Sequence, residues 1–348
     1  MCFFFVSAAG CASPKTSEKL STPVENVQVY TATVVPTLTA TQTASPTLTP
    51  TVTINPLVTL TPTPDPYQDY YLNTLKDRNY GGGVFQNEGV LNGTIGFSRN
   101  LFKYRSEGLD LYGFINIPEG DGPFPIIFLL HGYVDPAKYN TLDYSVRYAD
   151  ALAKSGYMVI HPNLRGYAPS QNGENVLGIG DSIDLLNLIA LVRQQSGPAG
   201  LLEQADSSRI GLWGHSMGGG IVMRAVIVDQ DIDAVLLYAS VHSNEEFNMS
   251  HFEKDGRGNE KVNAPARTLA NMSPSSFLAD ITAPISIHHG DQDEVVPLEW
   301  SRDLCEKLKD LEKEVTCKEY EGQPHTFRNS GDVDFIDDMI VFFDSFVK

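Results

Sequence analysis

The segment Gly214-His215-Ser216-Met217-Gly218 sets one serine midway between two glycines. An apolar run, 210–213, precedes it, and helical patterning, 217–228, follows it. A serine on so sharp a strand-to-helix turn takes a strained backbone conformation, and Cβ atoms two residues away on either side would collide across the turn. Gly214 and Gly218 remove that collision. The first N–H groups of the following helix point toward the serine, where they favour a negative charge. The chemistry that suits this arrangement is attack by the Ser216 hydroxyl on a carbonyl carbon.

A hydroxyl needs a base to be nucleophilic at neutral pH. The chain has eight histidines. His325 stands in Glu321-Gly322-Gln323-Pro324-His325, a turn-rich loop after a strand expected at 315–320, which exposes its imidazole at a strand's carboxyl end. His288 and His289 fall within or at the end of an apolar strand and read as hydrogen-bonded core residues. Where a serine is presented this way the chain order is serine, acid, histidine. The acid is therefore sought among Asp291, Asp293 and Glu294, just after Gly290. Asp293 lies far enough into the loop to reach His325, while Asp291 reads as a cap on its own turn. The acid's task is to hold the imidazole tautomer and stabilise the imidazolium. Two backbone donors complete the site: the Met217 N–H, and the Tyr133 N–H after the buried strand that ends in Leu129-Leu130-His131-Gly132. A metal centre built from His288, His289, Asp291 and Asp293 is disfavoured, because successive strand residues point to opposite faces.

These side chains need a scaffold that brings strand ends together. Residues 101–105 and 109–117 suggest a hairpin across Ser106-Glu107-Gly108. Short apolar runs at 126–130, 158–161, 210–213, 234–239 and 285–288 read as strands buried on both faces. Helical spacing appears at 141–154, 181–194, 217–228, 298–311 and 332–347. The alternation predicts an α/β fold, a mostly parallel sheet with helices on both sides. Residues 241–278 interrupt it with a polar stretch leaving a strand's carboxyl end, the position of a lid over a ligand site.

Taken together, the segments 106–132, 163–170, 206–220, 273–297 and 320–327 resemble the α/β-hydrolase superfamily, most closely the catalytic domain of the prolyl-oligopeptidase family, with dienelactone-hydrolase-like esterases next. The resemblance implies a Ser216, Asp293, His325 triad, an oxyanion hole at Tyr133 and Met217, and no cofactor. Arg165 matches a position near the site and reads as a structural ion pair. Large members of that family carry a β-propeller. Residues 1–100 are too short and too rich in Thr and Pro for one, so peptide and ester substrates stand equally open. The Tyr133 ring is placed to wall an acyl pocket. The expected function is a serine hydrolase that cleaves small esters or short peptides through a Ser216 acyl-enzyme. The alternatives are a carboxylesterase alone and a non-catalytic ligand-binding surface lipoprotein.

Residues 1–11, apolar and then small before Cys11, resemble the end of a bacterial lipoprotein signal peptide. Residues 12–66 are Thr/Pro-rich, with no periodic apolar face, and read as an extended stalk. The catalytic domain is expected over 67–348. This organisation places the protein at the bacterial cell surface or outside it, touching a membrane only through a lipid on Cys11. A formal net charge of −18 repels phosphate backbones, which sets nucleic acid aside as a partner. Cys305 and Cys317 fall at matching heights on a helix and the following strand. They form a disulfide if the domain is exported, or stay as two buried thiols.

Overall fold

The computed structural model describes residues 65–91, 94–197, 199–254 and 262–348. The segment 1–11 with Cys11, and residues 12–64 of the expected stalk, lie outside them. Among the described residues nine strands pair into one sheet: β1 (Gln86–Leu91), β2 (Phe97–Ser106), β3 (Leu109–Pro118), β4 (Phe124–Leu130), β5 (Met158–Pro162), β6 (Ala205–His215), β7 (Ala234–Tyr238), β8 (Ile285–Gly290) and β9 (Val315–Tyr320). Their order is β1-β2-β3-β5-β4-β6-β7-β8-β9. The first three run antiparallel to their neighbours, and β4 to β9 are mutually parallel. The expected hairpin turns on Glu107 and Gly108, both at positive φ (48° and 85°), the two-residue geometry that matches strand twist.

The helices are α1 (Leu72–Lys76), α2 (Val146–Lys154), α3 (Ile179–Gln195), α4 (Met217–Val228), α5 (Glu245–Phe252), α6 (Ala266–Met272), α7 (Leu298–Asp310) and α8 (Asn329–Phe346). Side-chain alternation explains why the central strands are apolar throughout. Ile126, Phe128 and Leu130 of β4 enter the core shared with α1, α3, α4 and α7. Ile127 and Leu129 enter the opposite core, with α2 and α8. Strands β4, β5, β7 and β8 thus spend both their faces on burial.

Helix α3 departs from the expected one-sided pattern. Thirteen of its seventeen residues are buried, Asp181, Asp184 and Asn187 among them. Its apolar residues pack in the same core as Leu72 and Leu75 of α1. Strand β1 and helix α1, which carry weak apolar periodicity, were not expected from the sequence. The polar stretch 241–278 is partly helical. It holds α5, whose Asn244 cap accepts a hydrogen bond from the Glu246 N–H (2.9 Å), and α6. Cys305 on α7 and Cys317 on β9 are joined as a disulfide, with Cα atoms 6.4 Å apart.

The consequence for function is positional. Strands β4 to β9 end at one edge of the sheet, and β4 lies between β5 and β6, where successive connections go to opposite sides. That crevice is where open α/β sheets collect ligand-binding residues.

Candidate active site

Ser216 sits between the end of β6 and the start of α4 with φ 53° and ψ −117°. A positive φ at a non-glycine residue costs of order 1–3 kcal/mol and persists only where its surroundings over-determine it. Here the Ser216 N–H donates to the Tyr238 carbonyl (2.9 Å), and the Ser216 carbonyl accepts from Gly219 (2.9 Å) and Val241 (3.1 Å). The two glycines serve close approach. A Cβ on Gly214 would stand 2.5 Å from the Gly218 carbonyl oxygen, and one on Gly218 would stand 2.2 Å from the Leu130 carbonyl oxygen.

Asp293 and His325 meet across the loops that follow β8 and β9. His325 Nδ1 lies 2.8 Å from Asp293 Oδ2. Asp293 Oδ1 accepts the Val295 and Val296 N–H groups (2.8 and 2.9 Å), and His289 Nε2 lies 3.0 Å from Oδ2. Burial alone would push the Asp293 carboxyl up. The hydrogen bonds from His289 and His325, and those from the backbone, outweigh it and hold the group well below the usual carboxylate range. An ionised Asp293 makes Nδ1 of His325 the protonated nitrogen and leaves Nε2 as an acceptor. Asp291, expected to cap its own turn, instead accepts the Gly322 N–H (2.6 Å) and ties the two loops together.

Ser216 and His325 line the same cavity, of about 1240 Å³. No hydrogen bond joins the Ser216 hydroxyl to the imidazole among the described residues; such bonds commonly tighten only when substrate binds. Tyr133 also lines this cavity, as do Glu245 and Met249 of the 241–278 segment. The chain leaving β4 runs against the sharp turn that carries Ser216, the nucleophile elbow: a Cβ on Gly132 would stand 3.0 Å from Ser216 Cβ. Neither the Tyr133 N–H nor the Met217 N–H finds an acceptor among the described residues.

Two contacts had no signal in the sequence. His215 Nε2 donates to the His325 carbonyl (3.0 Å), its Nδ1 meets the Tyr144 hydroxyl (2.7 Å), and that oxygen accepts the Gly132 N–H (2.8 Å). This chain of bonds links the loops after β4, β6 and β9. Burial, with His325 alongside, drives the His215 imidazole well below its ordinary pKa, so the ring is neutral. His289 is the second case. It is the hydrogen-bonded strand-end residue expected, with Nδ1 on Ser301 Oγ (2.7 Å), but it also braces Asp293. His288 faces the other way, toward Ser286, Tyr320 and Phe335. Arg165 forms the expected ion pair, a two-bond contact with Asp184 (2.7 Å each), and a further one with Glu107 (3.1 Å).

A sequence profile described as the prolyl oligopeptidase family matches residues 143–348, more than half of the chain. The chain belongs to the prolyl oligopeptidase family. It therefore falls in a serine-hydrolase family with the α/β-hydrolase fold. An uncharacterized peptidase, YuxL, of Bacillus subtilis is 23% identical over 252 residues, 68% of this chain and 37% of that protein. Among solved structures, the acylaminoacyl peptidase of Pyrococcus horikoshii superposes with a TM-score of 0.59 at 23% identity, over 72% of this chain and 42% of that one. An acetyl xylan esterase from Paenibacillus sp. R4 superposes with a TM-score of 0.58 at 16% identity, over 79% and 92%. At these identities the two structures establish the fold. The chain spans well under half the length of the peptidases it matches, and most of the esterase.

Proposed function

We propose that this prolyl oligopeptidase family member hydrolyses carboxylic esters or peptide and amide bonds through an acyl-enzyme on Ser216. The observation that carries the reading is the Asp293–His325 contact beside an elbow serine in one cavity. In the first half-reaction His325 Nε2 takes the Ser216 proton as the oxygen bonds to the carbonyl carbon. The resulting oxyanion rests on the Tyr133 and Met217 N–H groups. As the bond to the leaving group breaks, His325 returns the proton to it. Water then repeats the sequence on the acyl-enzyme, with His325 again as base, and frees the acid.

A fluorophosphonate probe is expected to label the protein, and Ser216→Ala to abolish the label. His325→Ala should lower turnover by about 10⁴-fold or more. A folded wild type that takes no label refutes the proposal in favour of a non-catalytic binding protein. The bond cleaved is settled by a panel of acyl esters set against aminoacyl amides. Turnover of esters alone would favour the carboxylesterase reading, to which the fold shared with the Paenibacillus esterase lends support. The Cys305–Cys317 disulfide supports a place outside the cytoplasm, where such bonds persist. Anchoring through a lipid on Cys11 is part of the same proposal.

A further inference from the structure

The cavity that holds Ser216 and His325 is also lined by Asp181 from α3, by Arg165, and by Arg224 with Glu245. Asp181 is 1% exposed. Its Oδ2 accepts from Asn175 Nδ2 (2.7 Å), and its N–H donates to Asn175 Oδ1 (3.2 Å). Its Oδ1 is buried and completes no hydrogen bond among the described residues, although the Arg165 backbone N–H faces the carboxyl. A buried polar atom left in this state is costly and calls for a partner.

The neighbouring cations are already committed. Arg165 holds Asp184, Glu107 and the Glu174 carbonyl. Arg224 holds Glu245, the Gly220 carbonyl (3.2 Å) and the Met272 carbonyl (3.4 Å). Counting the groups around Asp181 and along the cavity, Asp184 on its own helix, Glu107, Glu245 and Glu253 are acidic, Arg165, Arg224 and Arg78 (the last paired with Glu107) are basic, and Tyr104 and Tyr167 are neutral phenols. With Asp181 ionised, carboxylates outnumber guanidiniums. Burial first, and the Asp184 charge second, push the Asp181 carboxyl up to about 7, with Asn175 and Arg165 pulling the other way. The group is therefore half-ionised near neutrality, and an arriving cation would complete its ionisation.

We infer that Asp181 recognises a cationic nitrogen, an ammonium or guanidinium, carried by the substrate. Its free Oδ1 accepts the N–H bond, and the surplus carboxylates of the cavity supply the charge balance. A hydroxyl could donate the same bond but would leave that surplus uncompensated. The inference rests on the hydrolase reading above and names the substrate class for the same site.

The test uses nitrophenyl esters of ω-ammonio acids over a range of chain lengths, each against its neutral ω-methyl isostere and its ω-hydroxy counterpart. At pH 8, kcat/KM of the wild type should favour the best ammonio ester over its isostere by about 10- to 100-fold. That ratio should shrink below pH 6 as Asp181 gains its proton; titration of the base cancels because both esters share it. Asp181→Asn should bring the ratio near one, and Asp181→Glu should restore it at a different chain length. A ratio near one at every length and pH, a ratio indifferent to Asp181→Asn, or a stronger preference for the hydroxy esters overturns the inference. If Asp181→Asn fails to fold, the pH course of the wild-type ratio decides. Neutral esters turned over by a labelled Ser216 without cation preference remove this inference alone. Absence of labelling removes the hydrolase reading and this inference with it.

Discussion

Ser216 owes its place at the cavity wall to what its neighbours lack. The elbow packs so closely on the end of β4 that the Gly218 position has no room for a methyl group, since the nearest atom is a backbone carbonyl oxygen. Gly218→Ala should therefore shift the start of α4. A displacement of about 1 Å in reacting geometry costs about 100-fold, so the rate of fluorophosphonate labelling should fall by roughly that factor. An unchanged rate would mean that the elbow tolerates the shift. Asp181 yields a prediction about stability. Its folded-state pKa, about 7, stands above the ordinary 3.8. Between those values the folded chain holds a proton that the unfolded chain has released. The stabilisation tied to that proton is complete below the ordinary value and is lost as pH rises through the folded one. Asp181→Asn should therefore raise Tm relative to wild type more at pH 8 than at pH 5. Parallel Tm profiles across that range would show that Asp181 titrates normally.

At the scale of elements, the site depends on how the carboxyl ends of β4, β6, β8 and β9 are held together. The His215–Tyr144–Gly132 chain ties three of the loops, and the Asp291–Gly322 bond ties the loops that carry Asp293 and His325. The disulfide secures the next layer, joining α7 to β9 across 12 residues of chain. By chain entropy, closing a loop of this size is worth about 3 kcal/mol. Reduction, or Cys305→Ser with Cys317→Ser, should lower unfolding stability by up to about that amount in a denaturant titration. A midpoint unmoved by reductant, with the thiols shown to be free, would place the strength of this edge in α7 packing instead.

Across the whole molecule, a net charge of −18 draws cations toward the chain at long range. If positively charged esters are the preferred substrates, their kcat/KM should fall as added salt shortens the Debye length from about 30 Å at 0.01 M to about 8 Å at 0.15 M, while neutral isosteres stay level. Equal salt dependence for both would confine any charge recognition to the cavity itself. The sheet serves the site in a second way. Its antiparallel β1–β3 flank extends the edge beyond β5 and places Glu107, at the β2–β3 turn, on Arg165.

Local windows of sequence carried the elements whose signals are themselves local. The runs at 126–130 and 234–239 are apolar at every position because both faces of those strands are buried. The Glu107-Gly108 turn and the glycines around Ser216 mark backbone geometry that only certain residues tolerate. Strand ends followed by turn residues, together with the serine–acid–histidine order that goes with a glycine-flanked serine, pointed to Asp293 ahead of Asp291 and Glu294, and to His325 ahead of seven other histidines, and these two side chains are in contact. What lay beyond the sequence were pairings between distant residues. Tyr144 gains its place from His215 and Gly132, and His289 gains a second task from Asp293. Asp181 reads locally as an acidic residue at a helix start, an ordinary solvent-facing choice. It becomes a buried, half-partnered carboxyl because helix α3 is covered on all sides and the arginines beside it are taken. Period and turn chemistry are properties of a few consecutive residues. Partner identity, burial and the pKa that follows from them depend on which segments the fold brings together, and only the tertiary structure decides that.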